Sequence, residues 1–431
     1  MLLGSLLLLC ACADSLPPEN IKPVVAIVGA KLIDGSAAAP VEDSVIVIEG
    51  TRIRAAGPRS HTAVPKGGEI VDGIGKTVIP GLVDVHVHYF GDRAEMERAL
   101  RAQLYFGVTT VRSIGADADE HLAAIKDLRA GKIPGPRIYT AGRGLTHPEG
   151  HPMARRPAGP GEAREQVREL AAQDVDFIKV WVDSINGTLP KITPEVRAAI
   201  VEEAGKHNIP VVAHIADQED AYQLGELGVN DFLHTVRDKL PLDEKFIEFA
   251  KSRKISFAPT LSVLQRNWYF AENPAALKDP EIRFGMNAES LAVIEKPEVR
   301  RQRLDNPDLA RLKEKLASAQ RSVKQMSQAG ITLLLGSDSG AGEVSSGWGT
   351  HNEMVLMVEA GLSPLEVIQI ATRRGAERVS SQEPEFGVIR AGRIADLLLL
   401  DADPLEDIAN TRKINRVMQA GQWRNRQELL K

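Results

Sequence analysis

The run Val78-Ile79-Pro80-Gly81-Leu82-Val83-Asp84-Val85-His86-Val87-His88 decides how the rest of the chain is read. After the Pro-Gly break it is an apolar β run that carries two histidines at its end. Side chains alternate faces along a strand, so His86 and His88 project to the same side with one residue between them. Two imidazoles on one pleat face can grip the same metal ion.

Working outward toward the C-terminus, seven more β runs follow, at residues 108–114, 137–141, 177–182, 211–215, 232–236, 255–261 and 331–336. With 83–88 that makes eight. Amphipathic stretches such as 161–173 and 194–207 separate most of them. Alternating strands and helices imply a parallel sheet with right-handed crossovers. Eight such units predict an α/β protein, a (β/α)8 TIM barrel over residues 81–384. The connection 262–327 is oversized and charged, and reads as inserted helices over the barrel mouth, either a lid or a solvated decoration.

Potential ligands cluster at the C-terminal ends of these strands. His86 and His88 end the first, Lys179 lies in the fourth, His214 in the fifth and His234 in the sixth, and Ser337-Asp338 follows the eighth. In a barrel of this kind the strand ends form the active-site face. A lysine at a buried barrel mouth is costly unless neutralised or paired. Parity puts Phe177, Lys179 and Trp181 on one face.

Toward the N-terminus, residues 23–80 break into short strands and turns, with Glu49-Gly50 closing a hairpin. Residues 385–431 have the same character, with strands read at 386–389, 395–400 and 416–421. Neither end has enough apolar surface for a core of its own. Both are therefore expected to pair into one small composite β-sandwich domain.

Residues 1–22 read as a leader and tether. The apolar stretch 1–12 is shorter than the roughly 20 residues a membrane-spanning helix needs. It has the apolar core of a secretory signal. Leu9-Cys10-Ala11-Cys12 resembles a bacterial lipoprotein box with Cys12 as the lipidated residue; a plain signal is the alternative. The protein is expected to be exported, periplasmic or membrane-anchored, touching the membrane only through that lipid. Cys10 and Cys12 are the two cysteines of the chain, so its body forms no internal disulfide. A formal net charge of −5 argues against nucleic-acid binding.

Taken together, the quoted opening run, Phe177-Ile178-Lys179, Val212-Ala213-His214, Phe232-Leu233-His234 and Leu335-Gly336-Ser337-Asp338-Ser339 resemble, in order, the motifs of the amidohydrolase superfamily. Residues 387–397 are similar to its return into a small β domain. Within the superfamily the chain looks closest to imidazolonepropionase-like members, which include metal-dependent Xaa-Pro dipeptidases. The resemblance implies two divalent ions, zinc before manganese or iron. His86 and His88 would bind one and His214 and His234 the other. Lys179, as N6-carboxylysine, would bridge them, and Asp338 would touch the first ion and shuttle protons. A metal-activated hydroxide would then cleave an amide bond: peptide-like, N-acyl amino acid or cyclic.

Around that centre, His151 matches a loop position that contacts the substrate carbonyl in relatives; His147 is a weaker choice. Arg143 and Arg237 follow strands three and six and suit a substrate carboxylate, which a guanidinium can grip with two parallel bonds. Trp181 suits an apolar pocket wall. Ala216 stands where some peptidase relatives place Tyr. Arg112, inside strand two, reads as half of a buried structural pair. Thr350-His351-Asn352-Glu353 fits a helix capping box, which keeps His351 out of the metal shell. His61, His121 and His207 are expected to face solvent. No Gly-x-Ser-x-Gly elbow surrounds Ser337 or Ser339. The alternatives are a mononuclear deaminase, with Asp217 handling protons, a lactone or ester hydrolase, or a non-catalytic binding protein. The partner is a small molecule or short peptide; a homo-oligomer is an option on which the sequence does not decide.

Overall fold

The computed structural model describes residues 23–184, 187–380 and 382–431. The leader, with Cys12, lies outside the described residues. Among those described, no helix is long and apolar enough to cross a membrane.

Both chain ends meet in one eight-stranded sheet. The N-terminal part supplies β1 (Val24–Leu32), β2 (Val41–Glu49), β3 (Arg52–Pro58), β4 (Glu69–Asp72) and β5 (Thr77–Pro80). After them come β6 (Leu82–Val87), β7 (Val108–Ser113), β8 (Arg137–Thr140), β9 (Ile178–Trp181), β10 (Val211–His214), β11 (Asp231–Leu233), β12 (Ser256–Ala258) and β13 (Thr332–Leu333). The C-terminal part returns as β14 (Leu397–Leu400), β15 (Ile414–Gln419) and β16 (Gln422–Arg424). The sheet runs β16-β15-β14-β5-β1-β2-β3, with β4 on β1. Its seam pairs β14 antiparallel to β5, Leu397 opposite Pro80 and Leu400 opposite Thr77. Alternating residues of β1, β2 and β14 (Ile27, Ile46, Ile48, Leu397 and Leu399) bury against one another in a core of their own. The stretch 386–389 is not a strand. Gly387 takes φ +86°, and only Ile389 N–H bonds across, to Asp34 O. A left-handed glycine in mid-run breaks the pleat.

All eight strands expected of the central region are present and parallel. They form two sheets, β6-β7-β8 and β9-β10-β11-β12-β13. Backbone bonds cross both gaps: Val85 N–H to Leu335 O and Asp338 N–H to His86 O on one side, Asp176 N–H to Thr140 O on the other. Gly81 joins β5 to β6 where a Cβ would lie 2.3 Å from Thr109 Oγ1, so only glycine fits the junction. The helices follow their sequence patterns. Thr193 caps Pro194–Lys206 by accepting Val196 N–H, with Pro194 in the first turn, where its missing N–H costs nothing. The long connection folds into short helices and one long one, Leu309–Gln328, which buries Leu316, Ala319, Val323 and Met326 on one stripe.

Candidate metal and substrate site

The strand ends open on one cavity of about 970 Å³, lined by His88, His151, Trp181, His214, His234, Arg237 and Asp338 among others. His86 lies just behind His88. His88 is one residue past β6 and His234 one past β11, where His234 (φ +70°) and Asp338 (φ +58°) both adopt the left-handed backbone. Non-glycine residues rarely hold that conformation, and such strain gathers at functional sites.

Two groups of ligand atoms face each other. In the first, His88 Nε2 is 3.1 Å from His86 Nε2, and Asp338 Oδ1 lies 3.4 Å from His86 Nε2 and 3.1 Å from His88 Nε2. These three residues could hold one metal ion. In the second, His234 Nε2 sits 2.9 Å from His214 Nδ1. The His86 and His234 ring centroids are 5.2 Å apart. Lys179 is fully buried, and its Nζ has no hydrogen-bond partner among the described residues. A Cβ on Gly144 would fall 2.6 Å from Trp181 Cζ3 and 2.7 Å from Lys179 Cγ, so that turn must be glycine for the lysine and indole to sit where they do.

Protonation states suit metal ligation. Burial drives His86 and His234 well below the usual imidazole range and His214 down to about 3, so all three are neutral at pH 7. Burial also brings the Lys179 amine down to about 7, Arg112 adding to the effect. Burial works against ionising Asp338, but His86 and His88 outweigh it and hold the carboxylate ionised. The His234 tautomer follows from its neighbour. Thr260 Oγ1 donates to Pro259 O at 2.7 Å and lies 2.5 Å from His234 Nδ1, so it accepts the Nδ1 proton and leaves Nε2 a bare lone pair. The donor set therefore fits a pair of divalent cations: clustered neutral imidazoles, an ionised carboxylate and an unpartnered buried amine.

Asp183 was missed in the sequence. Its Oδ2 lies 3.5 Å from both His214 Nε2 and His151 Nε2. Burial raises its pKa, yet those imidazoles more than offset this and hold it below the ordinary carboxylate range. The parity that links Lys179 to Trp181 points two residues on to Asp183.

His151 lines the cavity, its ring centroid 5.1 Å from that of Trp181. Arg237 is half-buried beside the histidines, and its Nε has no hydrogen-bond partner among the described residues. Arg143 is exposed and does not line this cavity, although its backbone bridges to Ala116, which does. His147 likewise stays outside, its Nδ1 accepting Glu149 N–H. Val263, Leu264, Arg266, Arg311, Leu312 and Lys315 of the long connection wall the cavity, which makes that connection part of the site. Asp217 lines the cavity and pairs with Lys191.

Two other expectations change, and two hold. Thr350 does not cap a helix: Trp348–Glu359 starts two residues earlier, and Thr350 donates to Asp84 instead. His121 is buried rather than solvated, because its Nδ1 accepts Ala118 N–H and its Nε2 meets Gly91 O. Arg112 does form its buried pair, with Asp231. His351 stays out of the metal cluster, bonded to Thr411 and Phe106 O.

A parallel α/β body with a His-His-Asp cluster at its strand ends defines a metal-binding hydrolase site. Residues 77–424 match the amidohydrolase family model, and the chain belongs to that family, whose members generally use divalent metals. Ochratoxinase of Aspergillus niger is 27% identical over 383 residues, covering 77% of this chain and 71% of that one. Among solved structures, a putative prolidase from Bifidobacterium longum superposes with TM-score 0.75 and 25% identity over 94% of this chain and 95% of its own. A Xaa-Pro dipeptidase with bound methionine gives TM-score 0.73 at 22% identity, over 93% of this chain and 100% of its own.

Proposed function

We propose that this protein is an exported, divalent-metal hydrolase that cleaves the amide bond of a small carboxylate-bearing substrate, an N-acyl amino acid or short peptide before a cyclic amide. The observation that carries the reading is that His88, His214, His234 and Asp338 line one cavity, with His86 grouped against His88 and Asp338 and Lys179 fully buried. In the same reading the eight parallel strands close into a (β/α)8 barrel and the composite sheet folds into a β-sandwich. The leader is lipidated at Cys12.

His86, His88 and Asp338 would hold one ion, and His214 and His234 the other. Lys179, neutral enough at pH 7 to take up carbon dioxide, would reach both as a carbamate. Zinc suits the mixed nitrogen and oxygen donors. Bound metals bring the pKa of water toward neutrality and polarise carbonyl oxygens. The buried Asp338 Oδ1 takes the proton of the attacking water and returns it to the leaving nitrogen. Arg237 receives the substrate carboxylate, His151 approaches the scissile carbonyl oxygen, and Trp181 walls the apolar part. The helix Leu309–Gln328 limits access of bulk water from above.

The test is a hydrolysis screen of small peptides, N-acyl amino acids, cyclic amides and lactones with zinc-reconstituted protein. Amide turnover, abolished by chelation, is expected with near two ions per chain; Lys179→Ala should bind fewer. Asp338→Asn should keep the fold and lose about 10²–10⁴-fold in kcat. Turnover of lactones alone, one ion per chain, or full activity in Asp338→Asn would each overturn the corresponding part.

A further inference from the structure

The threonine and glutamate that resemble a capping box do other work. We propose that Thr350 and Glu353, one turn apart on the helix Trp348–Glu359, are positioning residues that lock the two halves of the histidine cluster to each other. The inference rests on the metal-site reading above.

Thr350 acts on the first half. Its buried hydroxyl donates to Asp84 Oδ2 at 2.7 Å. Asp84 Oδ1 in turn accepts His86 N–H at 3.1 Å and Ser337 N–H at 3.0 Å. One carboxylate thus ties the backbone that carries His86 to the backbone that leads into Asp338, and Thr350 fixes that carboxylate's rotamer.

Glu353 acts on the second half. Its two oxygens accept Leu261 N–H at 2.8 Å and Ser262 N–H at 2.7 Å, all of it buried. Those amides open the helix Leu261–Gln265, whose first N–H groups need outside acceptors. The residue at its cap is Thr260, a type that normally serves as that acceptor. Thr260 makes no side-chain cap bond, because its hydroxyl is committed to His234 Nδ1. Glu353 therefore supplies the cap from 92 residues away in sequence to Leu261. That frees Thr260, held at φ +54°, to set the histidine's tautomer. A local cap would satisfy the amides but not His234.

The experiment uses Glu353→Gln and Thr350→Val. Glutamine keeps the shape but turns an amide N–H against a backbone N–H; valine keeps the shape and deletes the hydroxyl. Cobalt-loaded protein is titrated against a chromophoric chelator, its visible spectrum recorded, and folding followed by circular dichroism. Glu353→Gln should weaken one of the two ions about tenfold or more, within the ~10–100-fold range of indirect ligand partners. Thr350→Val should weaken the other, each with an altered cobalt spectrum, and Thr350→Ser should restore the parent values. Should Glu353→Gln fail to fold, the Thr350 pair decides alone. Folded variants that bind two ions with parental affinity and spectra overturn this inference only. A parent that takes up no cobalt overturns the metal-site reading beneath it.

Discussion

Replacing Arg112 by Met should cost the fold about 3–5 kcal/mol, the toll of leaving a buried charge without its partner. The side chain of Arg112 is fully buried and that of Asp231 is 5% exposed. The guanidinium bonds both Asp231 oxygens, at 2.6 and 3.4 Å, and its Nε donates to Val85 O at 2.8 Å. It also lies 5.0 Å from the Phe177 ring centroid. Met leaves Asp231 with Arg378 alone, 3.8 Å away and partly exposed, a weak substitute that places the expected loss toward the lower end. Removing both charges, Arg112→Met with Asp231→Leu, should recover most of the loss, because buried pairs often exchange for apolar side chains at little net cost. Urea unfolding of metal-free protein, followed by circular dichroism, gives the four corners of the cycle. The expected coupling is about 2 kcal/mol or more. A single variant that loses less than about 1 kcal/mol, no more than an exposed pair is worth, would refute the geometry beneath the histidine cluster.

Three further outcomes follow from the site. Arg237→Met should raise KM for carboxylate-bearing amides at least about tenfold, as losing a charged hydrogen bond of ~1.5–3 kcal/mol implies, and leave their esters unaffected; equal effects on both would remove Arg237 from substrate binding. Lys179, depressed to about 7 in the folded protein from an ordinary value of 10.5, releases its proton earlier than the unfolded chain. Metal-free protein should therefore gain stability from this group as pH rises from about 7 toward 10.5. Bicarbonate-dependent metal uptake should climb between about pH 6 and 8, and uptake that is flat with pH would argue against a neutral amine there.

The strand ends were readable because two-residue periodicity and strand order suffice to align His86, His88, Lys179, His214 and His234. What escaped depends on contacts that no local pattern encodes. Asp183 lay within reach of the same parity rule, two residues past Trp181. Thr260 did not, since its role follows from where Pro259 O and His234 Nδ1 happen to lie. Thr350 and Glu353 misled because their spacing satisfies a local motif, whereas the helix begins earlier, Thr350 turns inward to Asp84 in β6 and Glu353 to the opening of the helix Leu261–Gln265. His121 misled in the same way: a histidine near a helix start looks solvated until its two nitrogens find backbone partners.

The seam between β5 and β14 also constrains how the molecule is made. Thr77–Pro80 waits for Leu397–Leu400, which the ribosome delivers only after the whole α/β body has emerged. Contacts spanning more than 300 positions close slowly, and until they close, β5 presents a bare edge to any passing strand. A chain stopped short near residue 390 would keep every metal-ligand candidate and still carry that sticky border, so premature termination should yield aggregates instead of a smaller working enzyme.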